Sequence, residues 1–150
     1  SGTNNIKLHL IGGLQTNKVK LAVKLFDYIH SVDNEKLAKK ISDEQQKQKR
    51  KIKVFIQVNI GNEKQKFGVD KLSVTGLYSY CKALNLDVVG LMCIPPLNQP
   101  SKIFFKEMSE MNKKFNFEEL SMGMSSDYLD AIKNSATYVR IGSIIFGQRS

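Results

Sequence analysis

No apolar run in the sequence approaches the roughly 20 residues that a membrane-spanning helix needs, and no basic-then-apolar leader opens it. A membrane protein is not expected. Cysteine is scarce, with only Cys81 and Cys93, no CxxC pair and no His/Cys cluster, so no metal site is assigned. Both cysteines sit in apolar surroundings, where a free thiol behaves as a small buried hydrophobe, and reduced thiols in a cytoplasmic protein are expected. Low-complexity stretches and internal linkers are also missing, so residues 1–150 are read as a single domain. That length is too short for a complete eight-stranded α/β barrel, which takes about 250 residues. The opening Ser-Gly is set aside from fold reasoning.

Acidic residues are outnumbered, 14 against 23 basic, giving a net charge of +9. An excess of this sign raises nucleic-acid binding as a reading. The distribution argues against it: lysines are spread over several segments, and the densest run, Lys47 to Lys53, falls where a helix gives way to a strand. Lysines there favour the helix dipole and solvation.

Strand-like and helix-like patterns alternate along the chain. Lys7 to Ile11, Tyr28 to Val32, Ile52 to Val58, Val88 to Ile94, Leu120 to Met122 and Thr137 to Ile141 read as strands. Helical spacing follows each of the first five, with Thr16 or Asn17, Asp33 and Ser101 expected as N-caps. Met108, Met111 and Phe115 are expected to face a core. Strict alternation implies βαβ crossovers and a parallel sheet of about six βα units. His9 and His30 are read as hydrogen-bonded strand histidines rather than as bases or metal ligands.

Two junctions stand out. Leu120 to Asp127 reads Leu-Ser-Met-Gly-Met-Ser-Ser-Asp, and Val139 to Gly147 reads Val-Arg-Ile-Gly-Ser-Ile-Ile-Phe-Gly. Small-residue turns after strands aim backbone N–H groups at one point, which suits a phosphate. Glycine permits close approach, serine adds a hydroxyl donor and Arg140 adds a fixed positive charge. The plainer alternative is an ordinary strand end followed by a helix capped by Ser125 or Ser126.

The block His9-Leu10-Ile11-Gly12-Gly13-Leu14-Gln15-Thr16-Asn17-Lys18 resembles the signature of the YggS/PROSC family of pyridoxal-phosphate homeostasis proteins. Gln57-Val58-Asn59 with Lys66-Phe67-Gly68, Gly90 to Pro95, and the two junctions above match in order and spacing. The resemblance implies a TIM-type (β/α) barrel of the fold-type III pyridoxal-phosphate proteins, like the N-terminal domain of alanine racemase, here incomplete. It also implies that Ser121, Met124 and Ser125 belong to one phosphate-side turn and that Gly142 with Ser143 supplies the other. Arg140 then faces the pyridine nitrogen of pyridoxal 5′-phosphate.

One departure accompanies the resemblance: no residue matches the family's first two strands or its Schiff-base lysine. Lys18 and Lys66, after strand ends, are the substitute amines to watch. No catalytic residue is assigned. The implied function is binding and carriage of pyridoxal 5′-phosphate in vitamin B6 homeostasis, with apo-enzymes as recipients and a homodimer formed through exposed sheet edges. A racemase-like enzyme and a basic nucleic-acid-binding module are the alternatives.

Overall fold

The computed structural model describes residues 6–64 and 67–140. Its strands are β1 (His9–Leu10), β2 (Tyr28–Val32), β3 (Lys53–Gln57), β4 (Asp87–Met92), β5 (Glu119–Met124) and β6 (Tyr138–Arg140). Between them lie α1 (Val19–Leu25), α2 (Glu35–Gln48), α3 (Val74–Ala83), α4 (Ser101–Lys114) and α5 (Tyr128–Lys133). All neighbouring strands pair in parallel, in the order β1-β2-β3-β4-β5-β6. The alternation read from the sequence is therefore the architecture.

The sheet curls. His9 on β1 and Tyr138 on β6 belong to the first and last strands, yet their ring centroids are 4.9 Å apart. A flat sheet of strands spaced about 4.8 Å apart could not bring them together. The result is an incomplete barrel with helices outside and a narrow, ring-filled inside.

The outer face and the helices form the main core. Ile29, Val54, Ile56, Leu91, Leu120 and Met122 meet Val23, Ile41, Leu77, Cys81, Phe105 and Met108 there. Met111 and Phe115 pack partly buried against this cluster, so the inward reading of α4 holds. Cys81 and Cys93 are buried free thiols, and burial pushes the Cys81 thiol up to about 11. Neither is poised as a nucleophile.

The helix starts differ from those read off the sequence. Thr16 and Asn17 lie inside a 3-10 turn, and Lys18 takes the N-cap of α1 with no side-chain bond. Asn34, not Asp33, caps α2, its Oδ1 accepting from Leu37 N at 2.8 Å. Asp33 is used elsewhere, accepting from Gly68 N at 2.9 Å. Ser101 is already helical, with Pro100 as the N-cap. Neither Ser125 nor Ser126 caps α5; Asp127 holds that position. At α2 two neighbouring polar side chains could reach the first N–H groups, and Asp33 is drawn off to Gly68; the starts of α1, α4 and α5 carry no side-chain cap.

Candidate functional site

The alternation that sends Ile29, Val54, Ile56 and Leu120 outward sends the intervening side chains into the concave interior. A register shift between Ile29 and Val32 keeps both on the outer face although they are three positions apart. His30 consequently points inward. Its ring stacks on Phe55 at 4.1 Å, while His9 stacks on Tyr28 at 4.1 Å and Tyr138 meets Phe55 edge-on at 5.8 Å. These aromatic contacts, joined by Tyr28 to Tyr138 at 5.7 Å, fill the lower part of the barrel.

A hydrogen-bond chain threads this layer. His9 Nδ1 lies 2.9 Å from His30 Nε2, and His30 Nδ1 lies 2.8 Å from Ser121 Oγ. His30 is fully buried. Burial first, then the nearby charges of His9 and Arg140, pushes its pKa down to about 3. A neutral imidazole carries one ring proton, so His30 donates at one nitrogen and accepts at the other. The chain therefore runs in one direction at a time, and the hydroxyl hydrogen of Ser121 is tied to the protonation of His9.

Above this layer, the C-terminal strand ends form the mouth. Met124 of β5 stands in register with Arg140 of β6, and Ser121 with Tyr138. Gly123 turns the backbone with φ of +104°, and a Cβ there would come within 2.6 Å of Ala131 Cβ. Only glycine accepts that conformation without strain. Asp127 closes the turn, its Oδ1 accepting from Met124 N at 2.7 Å while its own N–H donates to Met124 O at 3.1 Å.

Arg140 is half-buried at the rim of this turn. Burial works against its charge, holding the guanidinium below its ordinary range. Among the described residues it makes no hydrogen bond and no ion pair. It carries a fixed positive charge, because arginine does not shed its proton.

The residues singled out in the sequence thus fall into two groups. Met124, Ser125 and Arg140 gather at the mouth. Ser121 lies within β5, one layer below, with its hydroxyl 2.8 Å from His30 Nδ1. Gly142, Ser143 and Lys66 lie outside the described residues. Lys18 borders a groove of about 330 Å³ between β1 and α1, walled by Leu10, Leu14 and Leu21. Sequence reasoning missed Tyr28, Phe55 and Tyr138 as inward-facing residues. Their signal was present as the in-facing phase of each strand, hidden because the outward phase is apolar as well.

Comparison with known proteins adds a third line. The family model for the alanine racemase N-terminal domain matches residues 2–150. A pyridoxal phosphate homeostasis protein of Aquifex aeolicus is 39% identical over 155 residues, covering 97% of this chain and 68% of the relative. One from Vibrio alginolyticus is 36% identical, covering 97% of this chain and 66% of the relative. Among solved structures, PipY of Synechococcus elongatus with pyridoxal phosphate bound superposes with a TM-score of 0.83 at 30% identity, over 93% of this chain and 69% of PipY. The chain thus spans about two thirds of the length of these relatives.

Proposed function

The chain belongs to the alanine racemase N-terminal domain family, and from that premise we propose that it binds pyridoxal 5′-phosphate and carries it in vitamin B6 homeostasis. One observation carries the reading: Arg140, desolvated and without a partner among the described residues, stands beside a glycine-built turn at the sheet's C-terminal mouth. The residues fit the cofactor. Gly123 lets β5 lie close against α5 and β6, where a Cβ would press on Ala131 and Val139, and the ends of the last strands are where such barrels hold phosphate.

In this reading Met124 and Ser125 line the phosphate side, with Gly142 and Ser143 after β6 completing it, while Ser121 supports the turn from the layer beneath. Arg140 donates to the pyridine nitrogen and keeps its proton. When bound, the cofactor supplies an aldehyde and an electron-accepting ring. A ring faced by arginine is a weaker electron sink than one faced by a carboxylate, which suits holding the cofactor over catalysis. The names of the relatives, given to homeostasis rather than to a reaction, support the carrier role.

No helix among the described residues is long and apolar enough to cross a membrane. A cytoplasmic location, delivery to apo-enzymes and pairing with a second copy complete the proposal. Leu8, Leu21 and Leu25, exposed beside β1 at the end of the sheet, support the pairing. Equilibrium dialysis with pyridoxal 5′-phosphate tests the reading. Binding should weaken at least about tenfold in Arg140→Gln, the loss expected when one charge-assisted contact is removed, with the unfolding midpoint unchanged. Equal affinity for phosphate-free pyridoxal, or racemisation of L-alanine, would overturn it.

A further inference from the structure

The excess positive charge, spread along the sequence, gathers in the fold. Residues 16–53 hold eleven of the 23 basic residues and only five of the 14 acidic ones, so this quarter of the chain carries six of the nine excess charges. The 3-10 turn, α1 and α2 of that segment lie side by side, with Gln48 Nε2 at the end of α2 donating to Lys20 O of α1 at 3.0 Å. We propose that the outer face of α2, with the groove between it and the 3-10 turn, is a docking surface for the phosphate backbone of a double-stranded nucleic acid.

The face is built by the helical period. At about 100° per residue, Lys36, Lys40 and Lys47 stand within about 40° of one another, opposite the buried Ala38, Ile41 and Gln45. All three lysines are exposed. Beside them a groove of about 350 Å³ opens between α2 and the 3-10 turn, lined by Thr16, Asn17, Lys36, Lys39, Lys40 and Asp43. Its hydroxyl and amide donors suit phosphate oxygens, as the ammonium groups do.

The carboxylates of the segment do not neutralise this face. Asp27 is held by Arg50 and by Leu8 N, and Asp33 by Gly68 N. Asp43 pairs with Lys39 at 3.0 Å, and the buried Glu44 accepts from Gln48 Nε2 at 3.2 Å with Lys47 Nζ at 3.9 Å. Glu35 stands in the first turn of α2, where it serves the helix dipole. Lys20, Lys24, Lys36 and Lys40 enter no ion pair among the described residues. The surface they leave is of one sign.

The surface chemistry selects the partner. No large apolar side chain is exposed on α2, so nothing there enters a lipid interior or anchors a protein partner, whose contact surfaces favour aromatics and arginine over lysine. No aromatic residue occurs in α2 either, and single strands are held largely by stacking their bases on such rings. What remains is charge neutralisation along a phosphate backbone, which uses lysine and reads no base. The surface lies outside the barrel and stands independently of the cofactor reading.

Fluorescence anisotropy of a labelled duplex DNA of about 20 base pairs, titrated with the full chain, tests the surface. With about three or four phosphates neutralised, affinity should fall about 40- to 150-fold between about 50 and 200 mM salt. The double change Lys36→Gln with Lys40→Gln should weaken binding at least about tenfold at the lower salt and cut the salt slope by about two. Lys102→Gln with Lys106→Gln, the same charge change at exposed positions of α4, should weaken it less than about threefold. Equal losses in the two double variants, a single strand bound as tightly as the duplex, or no binding at the lower salt would overturn the proposal. Retention on phosphatidylserine vesicles without duplex binding would overturn it as well. Duplex binding that responds to Lys36 and Lys40 while pyridoxal 5′-phosphate fails to bind would support this surface and refute the carrier reading; cofactor binding without duplex binding would do the reverse.

Discussion

His30 Nδ1 and Ser121 Oγ meet at 2.8 Å across the inside of the sheet, from positions 91 residues apart. The contact joins β2 to β5, strands that are not neighbours, and so depends on the curl. His30 is held neutral by burial, and this has a direct consequence for stability.

With a folded pKa of about 3 against about 6.5 when unfolded, His30 binds fewer protons in the native state throughout that interval. Stability must then rise with pH between those limits, by at most about 1.4 kcal/mol per pH unit, and level off above them. His9 is shifted in the same direction and adds to the slope. Denaturant unfolding at pH 4 to 7 should show this rise, and His30→Asn should flatten it. An unchanged slope in the variant would remove His30 from the account.

Much of this fold is legible in the sequence, because each outward strand face and each helix face is apolar at its own period. The outward phase around β3 is the plainest case: Val54, Ile56 and Val58 alternate, and all three are buried in the outer core. The inside was harder to read. Tyr28, Phe55 and Tyr138 look like further core residues, and only the curl shows that they face one another rather than the helices. Of the candidate site, Arg140 and Gly123 stand out in the sequence because their chemistry is distinctive, and both lie at the C-terminal mouth of the sheet. His30 was legible as a hydrogen-bonded strand histidine, but its complete burial was not, because that depends on the curl of the sheet.

Arg50 ties the first part of the chain together. Its Nε donates to Val23 O at 2.8 Å, and its Nη2 donates to Phe26 O at 2.9 Å and to Asp27 Oδ1 at 2.8 Å. Asp27 Oδ2 in turn accepts from Leu8 N at 2.9 Å, so one arginine fixes the end of α1 and the approach to β1. The ion pair is about a third exposed and by itself worth little, about 0–1 kcal/mol. The carbonyl contacts use the fork of the guanidinium, which lysine cannot copy. Arg50→Lys should therefore cost about 1–3 kcal/mol in urea unfolding, more than Asp27→Asn. Asp27→Asn should instead speed hydrogen exchange at Leu8 N–H.

Asn112 performs a similar task at the other end of the sheet. From α4 its Oδ1 accepts from Leu91 N at 3.0 Å and its Nδ2 donates to Glu119 O at 2.8 Å, bridging β4 and β5 from the outside. The residue is buried, so water cannot take over. Asn112→Leu keeps the volume but leaves a donor and an acceptor unpaired, at about 1–3 kcal/mol each. A loss of about 2–5 kcal/mol is expected by thermal or urea unfolding, and a loss below about 1 kcal/mol would mean that the two backbone groups find other partners.

Gly123 separates binding from folding. Its φ of +104° is strained for any residue with a Cβ, and that atom would press on Ala131 Cβ at 2.6 Å and Val139 Cγ1 at 3.2 Å. Ala131 belongs to α5 and Val139 to β6, so relief requires α5 to move away from the strand ends. Such a movement displaces the turn at Met124 to Asp127 relative to Arg140, while β1 to β4 are untouched. Gly123→Ala should therefore lower stability by about 1–3 kcal/mol and weaken pyridoxal 5′-phosphate further than that loss explains at temperatures where the variant remains folded. Gly76 is the control, because a Cβ there meets nothing within 4 Å. It lies inside α3, where replacing glycine stabilises a helix by about 0.5–1 kcal/mol. If Gly76→Ala stabilises the chain with cofactor affinity intact and Gly123→Ala does not weaken the cofactor, the turn after β5 is not the phosphate's resting place.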